Sequence, residues 1–275
     1  PGGKAYHYNG SEWTVSTFGD GSSQYDLHGV WGTASNDVYV AGGFIDARVY
    51  RWDGAAWADL SVPYKRFLYA VAGAAGRVHV FGDNGAIRSW DGSAWERVNR
   101  YNDDYRLTGI WGSSASDVYA TGGYDPWTPN EYGVGVSYPV LHFDGSSWSS
   151  FTLPEMSTAV WGSGPSDVFV GGAAGSIFHY AGAGWSAMTQ IGYQSIKALW
   201  GSGPSDVFAA GDDSYPYYHI SHYSGAEWAV MTRVPDSSFE SLWGSSGTDV
   251  FAGAVQGQIY HYDGTAWELM TDTSL

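Results

Sequence analysis

Two stretches of the chain crowd ring side chains against carboxylates. GGYDPWTPNEYGVGVSYP (Gly122–Pro139) carries Tyr124, Asp125, Trp127, Asn130, Glu131 and Tyr132, and GDDSYPYYHI (Gly211–Ile220) carries Asp212, Asp213, Tyr215, Tyr217, Tyr218 and His219. Tyr64, Lys65 and Arg66, and the run RYNDDYR (Arg100–Arg106) with Tyr101, Asp103 and Asp104, add cations and further acids. A ring face packs on the apolar C–H face of a sugar while nearby carboxylates and amides take its hydroxyls. The same residue types dominate protein hot spots. The candidate ligand-binding set is therefore Tyr64, Arg66, Tyr101, Asp104, Tyr124, Asp125, Trp127, Glu131, Tyr132, Asp212, Asp213, Tyr215, Tyr217 and Tyr218. The competing reading is that these segments only pack on one another.

Other chemistries fit less well. Glycoside cleavage needs two carboxyl groups facing one substrate, and the adjacent pairs Asp103–Asp104 and Asp212–Asp213 would diverge along a strand. His219 and His222, three residues apart, would likewise point to opposite faces of a strand rather than share a metal. No catalytic residues and no cofactor are expected; calcium on the acidic loops is the alternative. The chain has no Cys, so disulfides, thiolate metal sites and Cys nucleophiles are excluded.

The formal net charge is −16, with 12 Lys plus Arg against 28 Asp plus Glu. Such a surface repels phosphate backbones and anionic lipid, so nucleic acid is not an expected partner. No apolar run is long enough for a spanning helix, so membrane insertion is not expected either. Pro1 is not an initiator Met, which suggests a processed chain or a piece of a longer one. An extracellular or cell-surface setting is expected, with the periplasm as the alternative.

What positions the candidate residues is a repeat. WGSGPSDVF occurs at Trp161–Phe169 and again at Trp200–Phe208, with relatives WGTASNDVY at Trp31, WGSSASDVY at Trp111, WGSSGTDVF at Trp243 and a degenerate AGAAGRVHV at Ala72. The six starts are 41, 39, 50, 39 and 43 residues apart. A second motif interleaves in seven copies: YNGSEW (from Tyr8), WDGAAW (Trp52), WDGSAW (Trp90), FDGSSW (Phe143), YAGAGW (Tyr180), YSGAEW (Tyr223) and YDGTAW (Tyr262). Each unit reads as four short strands, a to d, with period-two alternation and Gly, Asp, Ser or Pro between runs. Four strands in roughly 40–50 residues is the pattern of a propeller blade, an all-β architecture that leaves no long open sheet edges.

The run VYVAGGFIDARVYRWDGAAWADLSVP (Val38–Pro63) resembles kelch-like propellers, with a double Gly after strand b, then an aromatic, then a Trp opening strand d. GVWGTASNDVY is similar to the repeats of tectonin-type lectins, and the resemblance is to proteins of bacterial secreted or surface type. It implies a single all-β propeller over 1–275, with a half-blade at 4–17 and blades at about 27–66, 67–106, 107–157, 158–196, 197–239 and 240–275. The seven c–d hairpins and six a–b hairpins leave one half-blade over. Seven blades with one incomplete is the favoured count, and six plus an extra hairpin is the alternative. The a–b and c–d turns keep nearly constant lengths, whereas the b–c and d–a connections vary. All the long insertions therefore fall at one end of the strands, the expected binding face.

The repeated residues read as building material. Trp31, Trp111, Trp161, Trp200 and Trp243 in strand a, and the seven Trp that open strand d, are expected in blade packing. Asp37, Asp117, Asp167, Asp206 and Asp249 are expected to lock the a–b turn by accepting backbone N–H groups, with Arg77 in their place in blade 2. Asp53, Asp91, Asp144 and Asp263, with Asn9 as a variant, are hairpin turn residues; Asn9-Gly10-Ser11 is also a formal glycosylation sequon. His7, His142, His179, His222 and His261 share one strand-c position, where Arg51 and Ser89 stand in two blades. They are too dispersed to share a metal and are expected as satisfied histidines between blades. The expected function is a non-catalytic binding or assembly module taking glycan or protein. The alternatives are a propeller glycosidase or lyase acting on polysaccharide, and a structural subunit of a larger extracellular complex.

Overall fold

The structure is a computed structural model of the chain. It describes all residues except 1, 10, 21, 23–24, 44–45, 75–76, 84–86, 99–104, 115, 125–137, 189–194, 213–216, 236–237 and 273–275. Strand follows strand throughout. A two-stranded hairpin of β1 (Lys4–Tyr8) and β2 (Trp13–Thr17) comes first. Blade 1 is β3 (Leu27–Ala34), β4 (Asp37–Gly42), β5 (Arg48–Trp52) and β6 (Trp57–Asp59), and blade 2 is β7 (Leu68–Ala74), β8 (Arg77–Gly82), β9 (Ile87–Trp90) and β10 (Trp95–Arg97). Blade 3 is β11 (Tyr105–Ser114), β12 (Asp117–Tyr124), β13 (Tyr138–Phe143) and β14 (Trp148–Leu153), and blade 4 is β15 (Ser157–Gly164), β16 (Asp167–Gly172), β17 (Ile177–Tyr180) and β18 (Trp185–Ala187). Blade 5 is β19 (Ile196–Gly203), β20 (Asp206–Asp212), β21 (Tyr217–Tyr223) and β22 (Trp228–Pro235), and blade 6 is β23 (Phe239–Ser246), β24 (Asp249–Ala254), β25 (Gln258–Tyr262) and β26 (Trp267–Asp272). Neighbouring strands in each sheet are consecutive in the chain. The favoured count of seven is corrected: the described residues form six four-stranded blades and one separate hairpin. By contacts the chain forms two compact units, one holding the hairpin and blades 1 and 2, the other most of blade 3 and blades 4 to 6.

The core lies between sheets, and its rule is the same in both units. Strand b is buried nearly throughout, as Val168, Phe169 and Val170 show in blade 4. The apolar residue before the strand-a Trp packs back on the preceding blade. Val71 joins Tyr39, Ala41 and Val49; Val160 joins Tyr119 and Val140; Leu199 joins Phe169 and Ile177. The Trp itself points forward. A Cβ added to the Gly of the next Trp-Gly motif would stand 2.6 Å from the Trp31 ring at Gly73, 2.8 Å from Trp111 at Gly162, and 2.7 Å from Trp161 at Gly201 and from Trp200 at Gly244. Each indole thus lies on the bare Cα of the following blade, which only glycine permits at this separation. The strand-d Trp points the other way: the Trp57 ring stands edge-on to Phe18 with its N–H on Ser16, Trp95 donates to the Leu60 carbonyl, and Trp267 meets Phe208. These indoles are half-buried clasps between blades rather than fully buried core.

The turns are closed by side chains. Asp53, Asp91, Asp144 and Asp263 each accept two backbone N–H groups across the c–d turn, and Asn9 does the same in the first hairpin. N–H donation from Ala94 and Ser93 holds Asp91 down at about 2. The following Gly54, Gly92, Gly145 and Gly264 have positive φ, as this hairpin demands.

Replacing Gly201 by Ala is expected to cost about 1–3 kcal/mol by overpacking against Trp161 and the Asp206 carbonyl. Gly203→Ala, two residues on in the same motif with open space around it, is expected to change stability by less than about 0.5 kcal/mol. Urea denaturation of the two variants checks this; equal losses would deny the indole-on-glycine contact its role.

Candidate functional site

The b–c and d–a connections meet at one end of each blade. The N–H just past strand b donates to the carbonyl just before strand a: Gly43 to Asp26, Asp83 to Phe67, Ala173 to Met156, Asp212 to Ser195 and Val255 to Ser238. A Cβ on Gly42, Gly82 or Gly211 would sit on that same carbonyl oxygen in its blade, which is why Gly recurs there. One residue into strand a the register slips, with shifts at Leu27/Gly29, Leu68/Ala70, Ser157/Ala159, Ile196/Ala198 and Phe239/Ser241. The extra residue of each bulge is His28, Tyr69, Thr158, Lys197 and Glu240, and Thr108 holds the equivalent place in blade 3. Bulges re-aim side chains and are enriched beside functional sites. Sequence reasoning passed over this series. The signal was one column that changes chemistry, His, Tyr, Thr, Thr, Lys, Glu, inside a strand whose other positions stay nearly fixed.

In the second unit these residues build a polar network. Lys197 Nζ donates to Glu240 Oε1 at 2.7 Å and to Ser238 Oγ at 2.8 Å, and lies 3.5 Å from Asp212 Oδ1. Ser238 Oγ also lies 2.9 Å from both Asp212 Oδ1 and Glu240 Oε1. Burial works against the Lys197 charge, but the Glu240 and Asp212 carboxylates outweigh it and raise its pKa. In the first unit the corresponding place is aromatic. Phe67 stacks on Tyr69 at 5.8 Å, His28 stands 6.0 Å from Tyr69, and Tyr69 donates to Asp83 Oδ1 at 2.8 Å. Burial lowers the His28 pKa more than Asp26 raises it.

Of the candidate set, Asp125, Trp127, Glu131, Tyr132, Tyr215, Asp213, Tyr101 and Asp104 lie outside the described residues. Tyr124 ends β12. Asp212 enters the Lys197 network, and Tyr64 donates to the Asp83 carbonyl, with Arg88 over its ring. Arg66 is exposed. Tyr217 and Tyr218 are not in a loop, as expected, but in β21, where they pair with Pro235 and Val234 and lengthen the blade 5 sheet. Tyr217 is exposed there.

The repeated histidines are satisfied, but within their own blade rather than between blades. His142, His179, His222 and His261 reach Asp117, Asp167, Asp206 and Asp249 at 2.6–2.7 Å through Nε2. Each ring also lies on the strand-b aromatic directly across the pair, Tyr119, Phe169, Phe208 and Phe251, at 4.1–4.6 Å. The other carboxylate oxygen takes a hydroxyl from Ser113, Ser163, Ser202 or Ser245. The a–b Asp therefore locks its turn through side chains, not through the backbone N–H groups expected of it. Blade 1 substitutes Arg51 on Asp37 with its guanidinium over Tyr39. Blade 2 replaces all three members with His79, Ser89 and Arg77, which reaches Glu96 instead.

No protein-family model matches the chain, and no curated protein matches it. Solved structures do. "YCF48 bound to D1 peptide" aligns over 92% of this chain and 83% of its own, at 15% identity and TM-score 0.66. The chain is an all-β propeller of four-stranded blades. A GH74 xyloglucanase from Xanthomonas campestris aligns over 88% of this chain at 12% identity and TM-score 0.67, where this chain spans 45% of the enzyme. The computationally designed Ika8 protein aligns over 88% of this chain and 72% of its own, at 15% identity and TM-score 0.61.

His79, only 2% exposed, sits where its sister blades place an aromatic, and neither ring nitrogen finds a partner among the described residues. Burial, helped by Arg77, lowers its pKa to about 4. A lowered His resists protonation in the fold but not when unfolded, so its stability contribution is intact above about pH 6.5 and is lost as pH falls toward 4. The expected loss is about 3 kcal/mol across that window, and His79→Phe should remove most of this slope in denaturation midpoints measured between pH 7 and 4.5. An unchanged slope would place the acid sensitivity elsewhere.

Proposed function

We propose that the chain is a non-catalytic binding module that takes a protein segment at the b–c and d–a end of its blades. The observation carrying this reading is the bulge series: a fixed bulge in a fixed strand presents a different polar or aromatic side chain in nearly every blade. A residue with a purely structural task would repeat, as the turn Asp and the strand-a Trp do. A residue that reads a partner differs from place to place, and rigid strands supply the positional precision that recognition needs. The Lys197, Asp212, Ser238 and Glu240 network offers both signs of charge and a hydroxyl, and Tyr217 adds an exposed ring; such mixtures suit peptide groups and side chains. The peptide-bound neighbour is consistent with a protein ligand. A glycan partner is the alternative, and the secreted or cell-surface setting of bacterial type goes with either.

Three of the described carboxylates at this end are already engaged, Asp212 and Glu240 by Lys197 and Ser238, and Asp83 by Tyr69. That arrangement favours binding over general acid–base work. Screening the protein on peptide and glycan arrays in parallel tests the reading. Peptide binding that survives free sugars and falls at least tenfold in both Lys197→Ala and Glu240→Ala, with thermal midpoints nearly unchanged, is the expected result. Sugar-competed binding would make it a lectin, and polysaccharide turnover would make it an enzyme.

A further inference from the structure

The hairpin β1–β2 has every feature of a c–d pair, yet among the described residues no strand b lies beside β1. In the six blades strand c is paired on both sides, with b and with d. Among the described residues this sheet has two strands, and one edge of β1 has no partner strand. The side chains around that edge are exposed where their counterparts are not. Tyr6 is 47% exposed, against 9% for Tyr260 at the same position of blade 6. Val30, which should pack back on a preceding strand b, is 71% exposed, against 5% for Val71 in blade 2. Between hairpin and blade 1 lies a cavity of about 280 Å³, lined by Tyr6, His7, Val30, Val38, Val40 and Trp57 among others.

We propose that this edge and cavity are a docking site for a β-hairpin of the a–b type from polypeptide outside residues 1–275. The chain's own blades specify what fits. His7 occupies the strand-c position at which four sister histidines hold a turn Asp and lie on a strand-b aromatic, and it has neither partner among the described residues. The incoming second strand pairs with β1, puts its turn carboxylate on His7 Nε2 and lays its aromatic on His7 and Val30. The incoming first strand brings an indole onto Gly32, which has none against it, whereas its sisters Gly73, Gly162, Gly201 and Gly244 each carry one and only Gly112, after the Trp-less blade 2, does not. Its sequence class is therefore an apolar strand, Trp-Gly, five residues ending in Asp, and a second apolar strand with an aromatic two residues after that Asp. Recognition would join main-chain pairing at an open sheet edge to one imidazole–carboxylate hydrogen bond and two aromatic anchors. This surface is separate from the b–c and d–a end and stands whether or not the reading of that end holds.

The probe is a synthetic peptide of the blade 4 inner pair, STAVWGSGPSDVFVGG (157–172), backbone-cyclised so that the hairpin is preformed. Saturable one-to-one binding to the intact protein is expected by titration calorimetry. His7→Ala and Val30→Asp, both at exposed positions, should each weaken it at least tenfold, as should Asp→Asn or Phe→Ala at the peptide positions taken from Asp167 and Phe169. The His7 ring protons should shift on binding, and the amides of β1 should become protected from exchange. No binding at millimolar peptide, or binding that the His7 and Val30 variants leave unchanged, overturns the proposal. A peptide-free dimer that Val30→Asp dissociates also overturns it, because the edge would then belong to a second copy of the chain.

Discussion

The contact between an indole and a glycine Cα governs this fold. A propeller blade cannot bury its faces alone, so each must find a neighbour at a fixed distance and angle. A flat ring on a backbone without a side chain sets that distance, because any Cβ would collide with the ring. The contact runs forward, from the Trp of one blade to the Gly of the next. The apolar residue just before the Trp runs backward onto the preceding strand b. Two adjacent residues of one strand thus hold a blade from both sides, the alternation of a strand supplying the two directions. Where the forward partner lies beyond the described packing, as at Trp243, the indole is left 61% exposed, as an order set by neighbours requires.

That geometry also explains why the blade tolerates exchange in some places and not in others. Blade 2 has Ala72 in place of the strand-a Trp and Arg77 in place of the turn Asp, yet it keeps Gly73, where a Cβ would meet both Trp31 of blade 1 and the Arg77 carbonyl of its own blade. The Asp, His and aromatic set can be replaced as a group, by Asp37, Arg51 and Tyr39 or by Arg77, Ser89 and His79. What is preserved is a filled space between strands b and c, not a particular pair of charges. The replacement in blade 2 is the poorer one, since it leaves a neutral imidazole buried with no hydrogen-bond partner among the described residues.

Much of this was legible in the residues. The Trp-Gly and Asp-Gly columns gave strands, turns and the thirteen hairpins directly, because glycine and indole are each diagnostic of a local geometry. The partner of the turn Asp was not legible. Asp167 and His179 are 12 residues apart, and they meet only because the register sets Phe169 opposite His179; register is a property of two strands, not of one. Tyr217 and Tyr218 were misplaced for a similar reason. A Pro-rich, tyrosine-rich run reads as a loop until the partner strand, Val234 and Pro235, extends to meet it. The preference for seven blades took the hairpin's blade-like sequence as a sign of a whole blade. A c–d pair has the same sequence whether or not an inner pair accompanies it.

The two ends of each blade differ in what they leave unspent. At the a–b and c–d end, carboxylates consume hydroxyls, imidazoles and turn N–H groups, so hydrogen-bonding capacity is satisfied within the blade. At the other end, the backbone closes on itself through the bond from the N–H past strand b to the carbonyl before strand a, and the bulge residue is released from that task. Its side chain need only be compatible with a bulge, a loose demand that His28, Lys197 and Glu240 meet, while Thr158 gives its hydroxyl to the Gly171 and Ile196 carbonyls. A position freed from folding can be chosen for a partner, and the chemistry found there differs blade by blade. The same constraint that makes the blades alike therefore confines their differences to one end.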